Sequence, residues 1–573
     1  PRYLKQSVLQ PIGMKNSAFE PEARLKKNLA DAVMWTYQGR EFPAPTFQLG
    51  MAPAGSMYTD VLDLAKFMKV LFRDGKGMLK KETLEEMYTP QFAKKGTKEG
   101  FGLGFYLSQH KGKRKIGHGG AVYGFATQLS ALPDEKLGVI VVTSRDVANA
   151  VTRQIADLSL DLMLAVKVKK DLPKMPHTKA IDPKIARQLR GTYRSGTATL
   201  DVLERDGTVW ILPSLGAMRI ELRATDDGFI TDDVHNIGVS VKREGEDLRL
   251  GKRIYKRQKE STPEKCPKKW HGLIGEYGWN HNVLYITEHH GELYALIEWI
   301  FLYRLKEESK DVFQFPNFGL YHGEKLIFKR NKKDKATEVE AASVVFKRRR
   351  VDGEDGVTSR LKPRRPIEEI RKAALKATPP PEGGEFNKPD LVDVTKVEKT
   401  IKLDIRYATT NNFLSSKFYT KPNAYLQRPA AKALARVNQK LRKKGYGLLI
   451  HDAYRPWHVT KMFWDATPDS SRLFVANPLS GSRHNRGCAV DLTLFDVKTG
   501  KPIQMVSGYD EFSDRASPDY LGGTSRQRWH RDLLRSAMEE EGFRVYKAEW
   551  WHFDYKDWKK YPILNLTFEQ MQS

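Results

Sequence analysis

A repeated pattern in the middle of the chain constrains the fold more strongly than any other feature. Gly191-Thr192-Tyr193 is matched 84 residues later by Gly275-Glu276-Tyr277. The same offset relates further pairs: Leu200 and Leu284, Glu204 and Glu288, Gly207 and Gly291, Phe229 and Phe313. Both copies contain short alternating strand patterns around glycine-containing turns. We therefore predict two small antiparallel β units of barrel-like form, at residues 186–260 and 268–350.

The segment before the repeat, residues 1–182, mixes two periodicities. Helical patterns occupy residues 59–72 and 151–166. Strand patterns occupy residues 102–108, 124–131 and 137–143. This mixture predicts a domain of the α/β or the α+β class.

The segment after the repeat, residues 351–389, has a composition that cannot build a hydrophobic core. It contains Lys362-Pro363-Arg364-Arg365-Pro366 and Pro379-Pro380-Pro381-Glu382-Gly383-Gly384. We predict a linker there, which is stiff where the prolines cluster. A last domain would then occupy residues 390–573, and a chain of 573 residues is long enough for this number of domains. The predicted fold class is multidomain α+β.

The charge of the chain indicates which partners to expect. Lys and Arg total 97 against 70 Asp and Glu, which gives a formal net charge of +27. Such a surplus favours an anionic partner, which could be nucleic acid, anionic lipid or an acidic cell-wall polymer, and a generally basic proteome is the alternative explanation. No nucleic-acid-binding motif accompanies the charge, so we expect no nucleic-acid partner. No apolar run reaches the roughly 18 residues of a membrane span, so we expect no transmembrane segment.

Two stretches of the last domain combine residues that are suited to a metal ion. The run from Ser482 to Asp491 places His484 in a turn-like stretch and Asp491 in a strand-like stretch, and Glu549-Trp550-Trp551-His552 is strand-like as well. A carboxylate buried in a strand needs a partner, and a metal ion is one such partner. Two imidazoles and one carboxylate suit Zn²⁺ and leave one coordination position open. His484, Asp491 and His552 are therefore candidate ligands for one zinc ion in this domain.

Glu549 stands three residues before His552. In a regular strand these two side chains would face opposite sides of the sheet. Both reach one site only if Glu549 lies at the start of the strand, in a turn or bulge, and we predict that geometry. There Glu549 would take the proton from zinc-bound water and pass it to the leaving amine. Taken singly, each of these residues is explained as well by ordinary packing or surface exposure.

Together these stretches resemble the D-Ala-D-Ala dipeptidases of the vancomycin-resistance type, within the larger family of zinc D,D-peptidases. That family shows Ser-x-His-x-x-Gly-x-Ala-x-Asp followed by Glu-x-x-His, and residues 482–491 and 549–552 fit without a departure. Further stretches resemble the dipeptidase branch: Tyr407-Ala408-Thr409 with Asn412-Phe413, Asp452-Ala453-Tyr454-Arg455-Pro456, Asp510-Glu511-Phe512-Ser513 and the Glu-Trp-Trp-His run. The resemblance covers nearly all of residues 395–560.

The resemblance implies further roles for four residues. Arg455 would stabilise the oxyanion of the tetrahedral intermediate, and Asp452 would orient that arginine or line the pocket. Asp510 would pair with the free ammonium group of the substrate. Ser482 would bind the polar backbone or the carboxylate of the substrate.

Two features of the N-terminal segment also follow a known pattern. These are the run of residues 53–68 and His118-Gly119-Gly120. They resemble the class C β-lactamase and D,D-peptidase group of serine hydrolases, whose third motif corresponds to His118-Gly119-Gly120. The Ser-x-x-Lys and Tyr-x-Asn motifs of that group would precede residue 1, and we expect this segment to lack both. A partial serine hydrolase domain at residues 1–182 is expected, as a fragment of a longer protein or, alternatively, as a degenerate remnant. Ser359 and Lys362 have the Ser-x-x-Lys spacing, which we attribute to chance.

The leading function is a zinc metallopeptidase that hydrolyses the D-Ala-D-Ala dipeptide in peptidoglycan metabolism. Trp550 and Trp551 would wall its pocket, although core packing explains these indoles equally well. One alternative is a zinc D,D-carboxypeptidase that trims peptidoglycan stem peptides. Another, for the N-terminal part, is a non-catalytic protein that binds peptidoglycan. The fusion to a β-lactamase relative implies an exported protein of the periplasm or cell envelope, and the cytoplasm is the alternative.

Overall fold

The computed structural model describes residues 2–571, except residues 36–40, 47–51, 92, 95, 175–176, 206, 215–218, 298–300 and 352–357. The chain separates into two compact units. The first comprises Pro1–Glu260, Asn280–Asn282 and Ile297–Tyr303, and the second comprises Ser261–Trp279, Val283–Leu296 and Arg304–Ser573. The predicted multidomain α+β class is confirmed. Among the helices in the described ranges, none combines the length and the apolar character that a membrane span requires.

The N-terminal part of the first unit is built on a five-stranded antiparallel sheet with the strand order β3-β4-β5-β6-β7. Helix α4 begins where the Asp60 side chain accepts a hydrogen bond from the backbone N–H of Asp63, as a helix N-cap does. Helix α6 covers β6 and β7 and buries Leu160 together with Leu132. The elements are α1 (Arg2–Leu4), α2 (Ala23–Lys26), β1 (Val33–Trp35), β2 (Glu41–Pro43), α3 (Ala52–Gly55), α4 (Val61–Leu71), α5 (Lys81–Met87), β3 (Gly100–Phe101), β4 (Tyr106–His110), β5 (Lys113–Val122), β6 (Phe125–Leu132), β7 (Leu137–Thr143) and α6 (Asn149–Lys167).

Two sequence-based interpretations of this part need correction. The strand predicted from residue 102 begins only at Tyr106, because Gly104 has a φ of 79° and a turn precedes the strand. A Ser-x-x-Lys spacing does occur, at Ser108 and Lys111, although we expected none. Ser108 lies on strand β4, whereas Lys111 lies in the following turn with a φ of 49°. Residues three apart share a face only on a helix, so this tetrapeptide does not reproduce the catalytic motif.

The first β unit is a closed barrel of antiparallel strands in the order β10-β11-β12-β13-β14-β15-β8-β9. The barrel closes where β15 pairs with β8, with Lys256 opposite Arg194. Inward-facing apolar side chains such as Leu200 and Ile211 fill its interior, as is usual for a small barrel. The elements are α7 (Pro183–Leu189), β8 (Gly191–Ser195), β9 (Ala198–Arg205), β10 (Thr208–Pro213), β11 (Ile220–Thr225), β12 (Gly228–Asp233), β13 (Asn236–Glu244), β14 (Asp247–Leu250) and β15 (Arg253–Arg257).

The second β unit contains a four-stranded sheet, β16-β17-β18-β19, and a five-stranded sheet, β20-β21-β22-β23-β24. An isolated antiparallel bridge joins Tyr277 of β16 to Arg348, which follows β24 directly. The elements are α8 (Lys268–His271), β16 (Gly275–Trp279), β17 (Asn282–His289), β18 (Glu292–Ile297), β19 (Phe301–Arg304), β20 (Lys306–Ser309), β21 (Val312–Gln314), β22 (Lys325–Arg330), β23 (Ala336–Ala341) and β24 (Val344–Lys347).

The sequence repeat has a structural counterpart in each β unit. Tyr193 donates a hydrogen bond to the carbonyl oxygen four residues before it and accepts one from Nη1 of Arg257, both over 2.8 Å. In the second unit, the Tyr277 hydroxyl donates to the carbonyl oxygen four residues before it over 2.6 Å and accepts from Nη1 of Arg348 over 2.8 Å. Each guanidinium also lies over its tyrosine ring. We call this arrangement the tyrosine–arginine closure, since it ties the end of each unit to its first strand.

The last domain is built on a sheet with the strand order β26-β28-β29-β31-β30, in which only the pair β26 and β28 is parallel. Strand β29 lies between β28 and β31, so that Asp491 stands opposite both Asp452 and His552. The elements are β25 (Leu391–Asp393), α10 (Val394–Val397), β26 (Lys402–Leu403), β27 (Tyr425–Gln427), α11 (Arg428–Arg442), β28 (Tyr446–Asp452), α12 (Trp457–Ala466), β29 (Ala489–Asp496), α13 (Ser525–Glu540), β30 (Phe543–Tyr546) and β31 (Glu549–Tyr555), preceded by α9 (Ile367–Lys376).

The described part of the segment predicted as a linker, residues 358–389, packs against the last domain. Helix α9 lies against α12 and buries the side chains of Ile370 and Ala374 completely. Glu382 forms an ion pair with the buried Arg486. The prediction of a linker is therefore wrong for these residues. The composition misled us because one short amphipathic helix, with apolar residues four apart, is enough to attach the segment to an existing core.

Candidate metal centre and active site

The three predicted metal ligands lie together at one end of the central strands. His484 begins a short 3₁₀ turn, His484–Arg486, whereas Asp491 and His552 face each other on β29 and β31. His552 Nδ1 lies 3.0 Å and His484 Nε2 lies 3.3 Å from Oδ1 of Asp491. All three side chains are buried, and among the described residues they form a group of ligand atoms that lie within 4.8 Å of one another.

Hydrogen bonds on the far side of each imidazole fix which ring nitrogen faces the centre. Nδ1 of His484 lies 2.6 Å from the carbonyl oxygen of Ala453, to which it donates. Nε2 of His552 lies 2.9 Å from Oδ1 of Asp554. The nitrogen that faces the centre, Nε2 of His484 and Nδ1 of His552, is therefore the one placed to bind a cation. Metal-binding histidines are typically oriented in this way by a hydrogen bond from the other ring nitrogen.

Asp491 completes a donor set that fits a divalent cation. Its Oδ2 accepts a hydrogen bond from the Tyr509 hydroxyl over 3.0 Å. Its Oδ1 is buried and has no hydrogen-bond donor among the described residues. Burial raises the pKa of Asp491, but the imidazoles of His484 and His552 outweigh burial and hold that pKa well below its usual range. Two imidazole nitrogens and one ionised carboxylate oxygen are a ligand set suited to Zn²⁺.

Glu549 reaches the same centre by the geometry that the sequence predicts. It is the first residue of β31, and the pairing with β30 shifts register between Val545 and Tyr546. Oε2 of Glu549 lies 3.9 Å from Nδ1 of His552. Burial raises the pKa of Glu549 to about 7, and His552 limits the rise. A carboxylate with such a pKa can accept a proton and release it again near neutral pH.

Arg455 is held rigidly beside the centre. Its Nε and Nη2 donate to Oδ2 of Asp452 over 2.9 and 2.7 Å, and its Nη2 lies 3.8 Å from Oδ2 of Asp491. The guanidinium also lies over the rings of Tyr407 and Phe463. Asp452 is completely buried, so it orients the arginine, and the alternative that it lines the pocket is wrong.

The predicted contacts to substrate fall into two groups. Ser482 and Asp510 line the same pocket as the metal ligands, Glu549 and Arg455. Both carboxylate oxygens of Asp510 accept from the Tyr407 hydroxyl, over 3.1 and 3.0 Å. Burial raises the pKa of Asp510 well above its usual range, and the neighbouring Asp491 and Glu549 raise it further. A cationic group placed beside Asp510 would therefore favour its ionised form.

Trp550 and Trp551 do not line the pocket, so the interpretation as pocket walls is wrong. Both are buried; Nε1 of Trp550 donates to Oγ of Ser507 over 2.8 Å, and Trp551 packs against Tyr509. The alternative that we gave at the outset, core packing, accounts for them. Through Ser507 and Tyr509 they contact the loop that carries Asp510.

Several residues of the site went unnoticed in the sequence. Tyr509 and Asp554 hold a metal ligand each, and no spacing rule connects Tyr509 with Asp491. The position of Asp554, two residues after His552 in a strand and hence on the same face, was a usable signal. An apolar wall of the pocket and two further polar residues were also missed: Phe413, Phe463, Leu473, Phe474, Val475, Phe512, Arg483 and Tyr546.

The predicted serine hydrolase motif lies in the first unit. His118, Gly119 and Gly120 are part of β5, paired with β6. His118 is exposed, and its Nδ1 lies 2.6 Å from the carbonyl oxygen of Gly119. The described residues of this part therefore offer the strand of the motif without a serine and lysine pair in its usual context.

Comparisons with known proteins match the N-terminal part and the last domain separately. The profile described as D-ala-D-ala dipeptidase matches residues 387–572, and the profile described as Beta-lactamase matches residues 1–162. A D-alanyl-D-alanine dipeptidase of Escherichia coli is 33% identical over 179 residues, which are 31% of this chain and 91% of that protein. A D-alanyl-D-alanine dipeptidase of Enterococcus faecium is 32% identical over 189 residues, which are 29% of this chain and 92% of that protein.

The N-terminal match is more distant. A human protein named putative beta-lactamase-like 1 is 27% identical over 145 residues, which are 25% of this chain and 28% of that protein. The chain thus spans about a quarter of that relative. The dipeptidases, by contrast, are matched over nearly their whole length, in the part of the chain that contains the candidate metal centre. Through residues 387–572, this chain belongs to the D-alanyl-D-alanine dipeptidase family of peptidases.

Proposed function

We propose that this protein is a zinc-dependent dipeptidase that hydrolyses D-Ala-D-Ala in peptidoglycan metabolism. One observation carries the proposal: the carboxylate of Glu549 lies beside three buried, converging donor atoms of His484, Asp491 and His552. The hydrogen bonds of both imidazoles and the unpartnered Oδ1 of Asp491 support a zinc ion held by these three residues. When bound, zinc supplies Lewis acidity that makes water a better nucleophile and a carbonyl group a better electrophile.

Glu549 is the proposed general base. Its carboxylate removes one proton from the attacking water while the water oxygen bonds to the carbonyl carbon of the peptide. The same carboxyl group then donates that proton to the leaving nitrogen as the C–N bond breaks, so that one water is consumed and two amino acids are released. A pKa raised by burial to about 7 suits both steps.

Arg455 and Asp510 are the proposed contacts to the charges of the substrate. The Arg455 guanidinium, fixed by Asp452, would stabilise the oxyanion that develops on the carbonyl oxygen. Asp510 would pair with the free ammonium group of the dipeptide, and Ser482 would bind its polar backbone. An ammonium-binding carboxylate at the end of a pocket favours a dipeptide over a stem peptide, in which that nitrogen is part of an amide.

The cellular setting is part of the proposal and rests on other features. The fusion to a β-lactamase-like part supports export to the periplasm or the cell envelope. The net charge of +27 supports contact with an anionic cell-wall polymer.

The test is release of free D-alanine from D-Ala-D-Ala by the full chain, before and after removal of zinc with a chelator, and after zinc is restored. We expect zinc-dependent release that Glu549→Gln lowers by about 10²- to 10⁴-fold. Glu385→Gln, at an exposed acid of the segment 358–389, is the matched control and should retain activity. A full chain that binds zinc, does not cleave the dipeptide and trims a D-Ala-D-Ala-terminated stem peptide would instead support the D,D-carboxypeptidase alternative.

A further inference from the structure

A free dipeptide carries a carboxylate as well as an ammonium group, and a buried site must offer that carboxylate a cation. Two guanidinium groups line the described pocket, those of Arg455 and Arg483. Asp452 already holds Arg455 through two hydrogen bonds to one carboxylate oxygen. Arg455 is therefore engaged by Asp452 and is already assigned to the oxyanion, so Arg483 is the guanidinium left to consider for the carboxylate.

Arg483 is positioned but not satisfied by the protein. Its Nε is buried and has no hydrogen-bond partner among the described residues. The guanidinium lies 4.8 Å from the ring centroid of Trp558, which restrains its plane. The side chain is 41% exposed and is part of the pocket lining.

The carboxylate beside Arg483, that of Asp554, already forms a hydrogen bond with another residue. Oδ2 of Asp554 lies 3.7 Å from Nε of Arg483, which is too long for a hydrogen bond. The other oxygen of Asp554 accepts from Nε2 of His552. Arg483 thus has an electrostatic neighbour and no bonded acceptor, and its fork of donors matches a carboxylate.

We propose that Arg483 binds the C-terminal carboxylate of the substrate, and that it selects dipeptides whose C-terminal residue is a free acid. This inference rests on the proposed dipeptidase function. It places opposite charges in one pocket: Asp510 for the ammonium group and Arg483 for the carboxylate. Arg483 immediately precedes the metal ligand His484, so the turn that positions the ligand also positions the guanidinium.

The competing explanation is that Arg483 acts only through Asp554 and His552, as a structural neighbour of the metal centre. A comparison of two substrates separates these roles. D-Ala-D-Ala and its C-terminal amide contain the same scissile bond and differ only in the charged group that Arg483 would bind. A structural defect affects both substrates, whereas loss of a carboxylate contact affects only the free acid.

The experiment measures kcat and KM of the zinc-loaded full chain and of Arg483→Gln with both substrates. We expect Arg483→Gln to lower kcat/KM for the free acid by about 10- to 100-fold, mainly through KM, and to leave the amide unchanged. Arg483→Lys should restore part of the preference for the acid. Arg472→Gln is the matched control, since Arg472 also lies over an indole, that of Trp464, and does not line the pocket.

Zinc content, measured by metal analysis, should be the same in the wild type and Arg483→Gln. An equal loss with both substrates, or no loss with either, would overturn the inference. Calorimetric binding of the acid and the amide to Glu549→Gln, with and without Arg483→Gln, gives a readout that does not need turnover. If the wild type cleaves neither substrate, the proposed function fails, and a Glu549→Gln chain that binds acid and amide equally also overturns the role of Arg483.

Discussion

The hydroxyl of Tyr509 donates to Oδ2 of Asp491 over 3.0 Å and leaves Oδ1 facing two imidazole nitrogens. This single bond decides which oxygen of the carboxylate is presented to a cation. Tyr509→Phe removes the bond and keeps the ring that packs on Trp551.

We expect Tyr509→Phe to weaken zinc binding by about 10- to 100-fold, as loss of a hydrogen bond to a metal ligand usually does. Competition with a chromogenic chelator measures this affinity, and excess zinc should restore most of the activity. Tyr446→Phe, whose hydroxyl contacts His530 instead, is the matched control. Unchanged zinc affinity in Tyr509→Phe would contradict the role assigned to this bond.

Glu382 is the counter-charge of a buried arginine. Its Oε1 accepts from Nη2 of Arg486 over 2.5 Å, and its Oε2 accepts from the backbone N–H of Ile563 over 2.6 Å. Glu382→Gln leaves Arg486 without a negative partner, which we expect to lower the free energy of unfolding by about 3 kcal/mol. Urea denaturation of the full chain measures the change. Glu368→Gln breaks only the exposed pair with Arg371 and should cost less than about 0.5 kcal/mol, so equal effects would refute the assignment.

Glu288 of the second β unit caps a helix of the peptidase domain. Its Oε2 accepts from the backbone N–H of Ser525, the first residue of α13, over 2.8 Å. The Arg528 guanidinium donates to the carbonyl oxygen of the same glutamate over 2.6 Å. We expect Glu288→Ala to lower the free energy of unfolding by about 1–2 kcal/mol, the usual cost of a lost helix cap. Glu292→Ala, which removes an exposed pair with Arg304, is the control for denaturation, and an equally large effect there would count against the cap.

His530 should make stability depend on pH. Burial, with the neighbouring Arg526, lowers the pKa of His530 to about 4, whereas an unfolded histidine titrates at about 6.5. Folded His530 binds a proton less readily than unfolded His530. Its contribution to the free energy of unfolding is therefore fully present above about pH 6.5 and is lost as the pH falls towards about 4.

Between about pH 7.5 and about pH 5 the loss attributable to His530 should be about 2 kcal/mol. His530→Gln removes this contribution, so its urea midpoint should fall less between the two pH values than that of the wild type. Parallel falls in both proteins would show that His530 does not titrate in the way described.

The site was largely predictable because its ligands and base lie in two short stretches, and the requirement that Glu549 and His552 face one point forces a bulge. Tyr509 could not be assigned in the same way, since its role depends on which side chain lies opposite it after folding, whereas the position of Asp554 two residues after His552 was a usable signal. The prediction of a linker at residues 358–389 failed for a related reason. The attachment of this segment depends on Ile370, Ala374 and Glu382, and each of them is unremarkable until α12 and Arg486 are in place.

The tyrosine–arginine closure bears on how a chain with two similar neighbouring units avoids misassembly. Tandem copies of one pattern can exchange strands, and the products are kinetic traps. In this chain the closing arginine follows its tyrosine by 64 residues in the first unit and by 71 in the second. Exchange would pair Arg257 with Tyr277, 20 residues later, and Arg348 with Tyr193, 155 residues earlier, so the length of the closed loops does not decide between native and exchanged pairs. The two units differ instead in architecture, since the first closes as one barrel and the second forms a four-stranded and a five-stranded sheet. The strand next to each closing arginine would therefore meet different neighbours in the other unit, and this difference disfavours strand exchange.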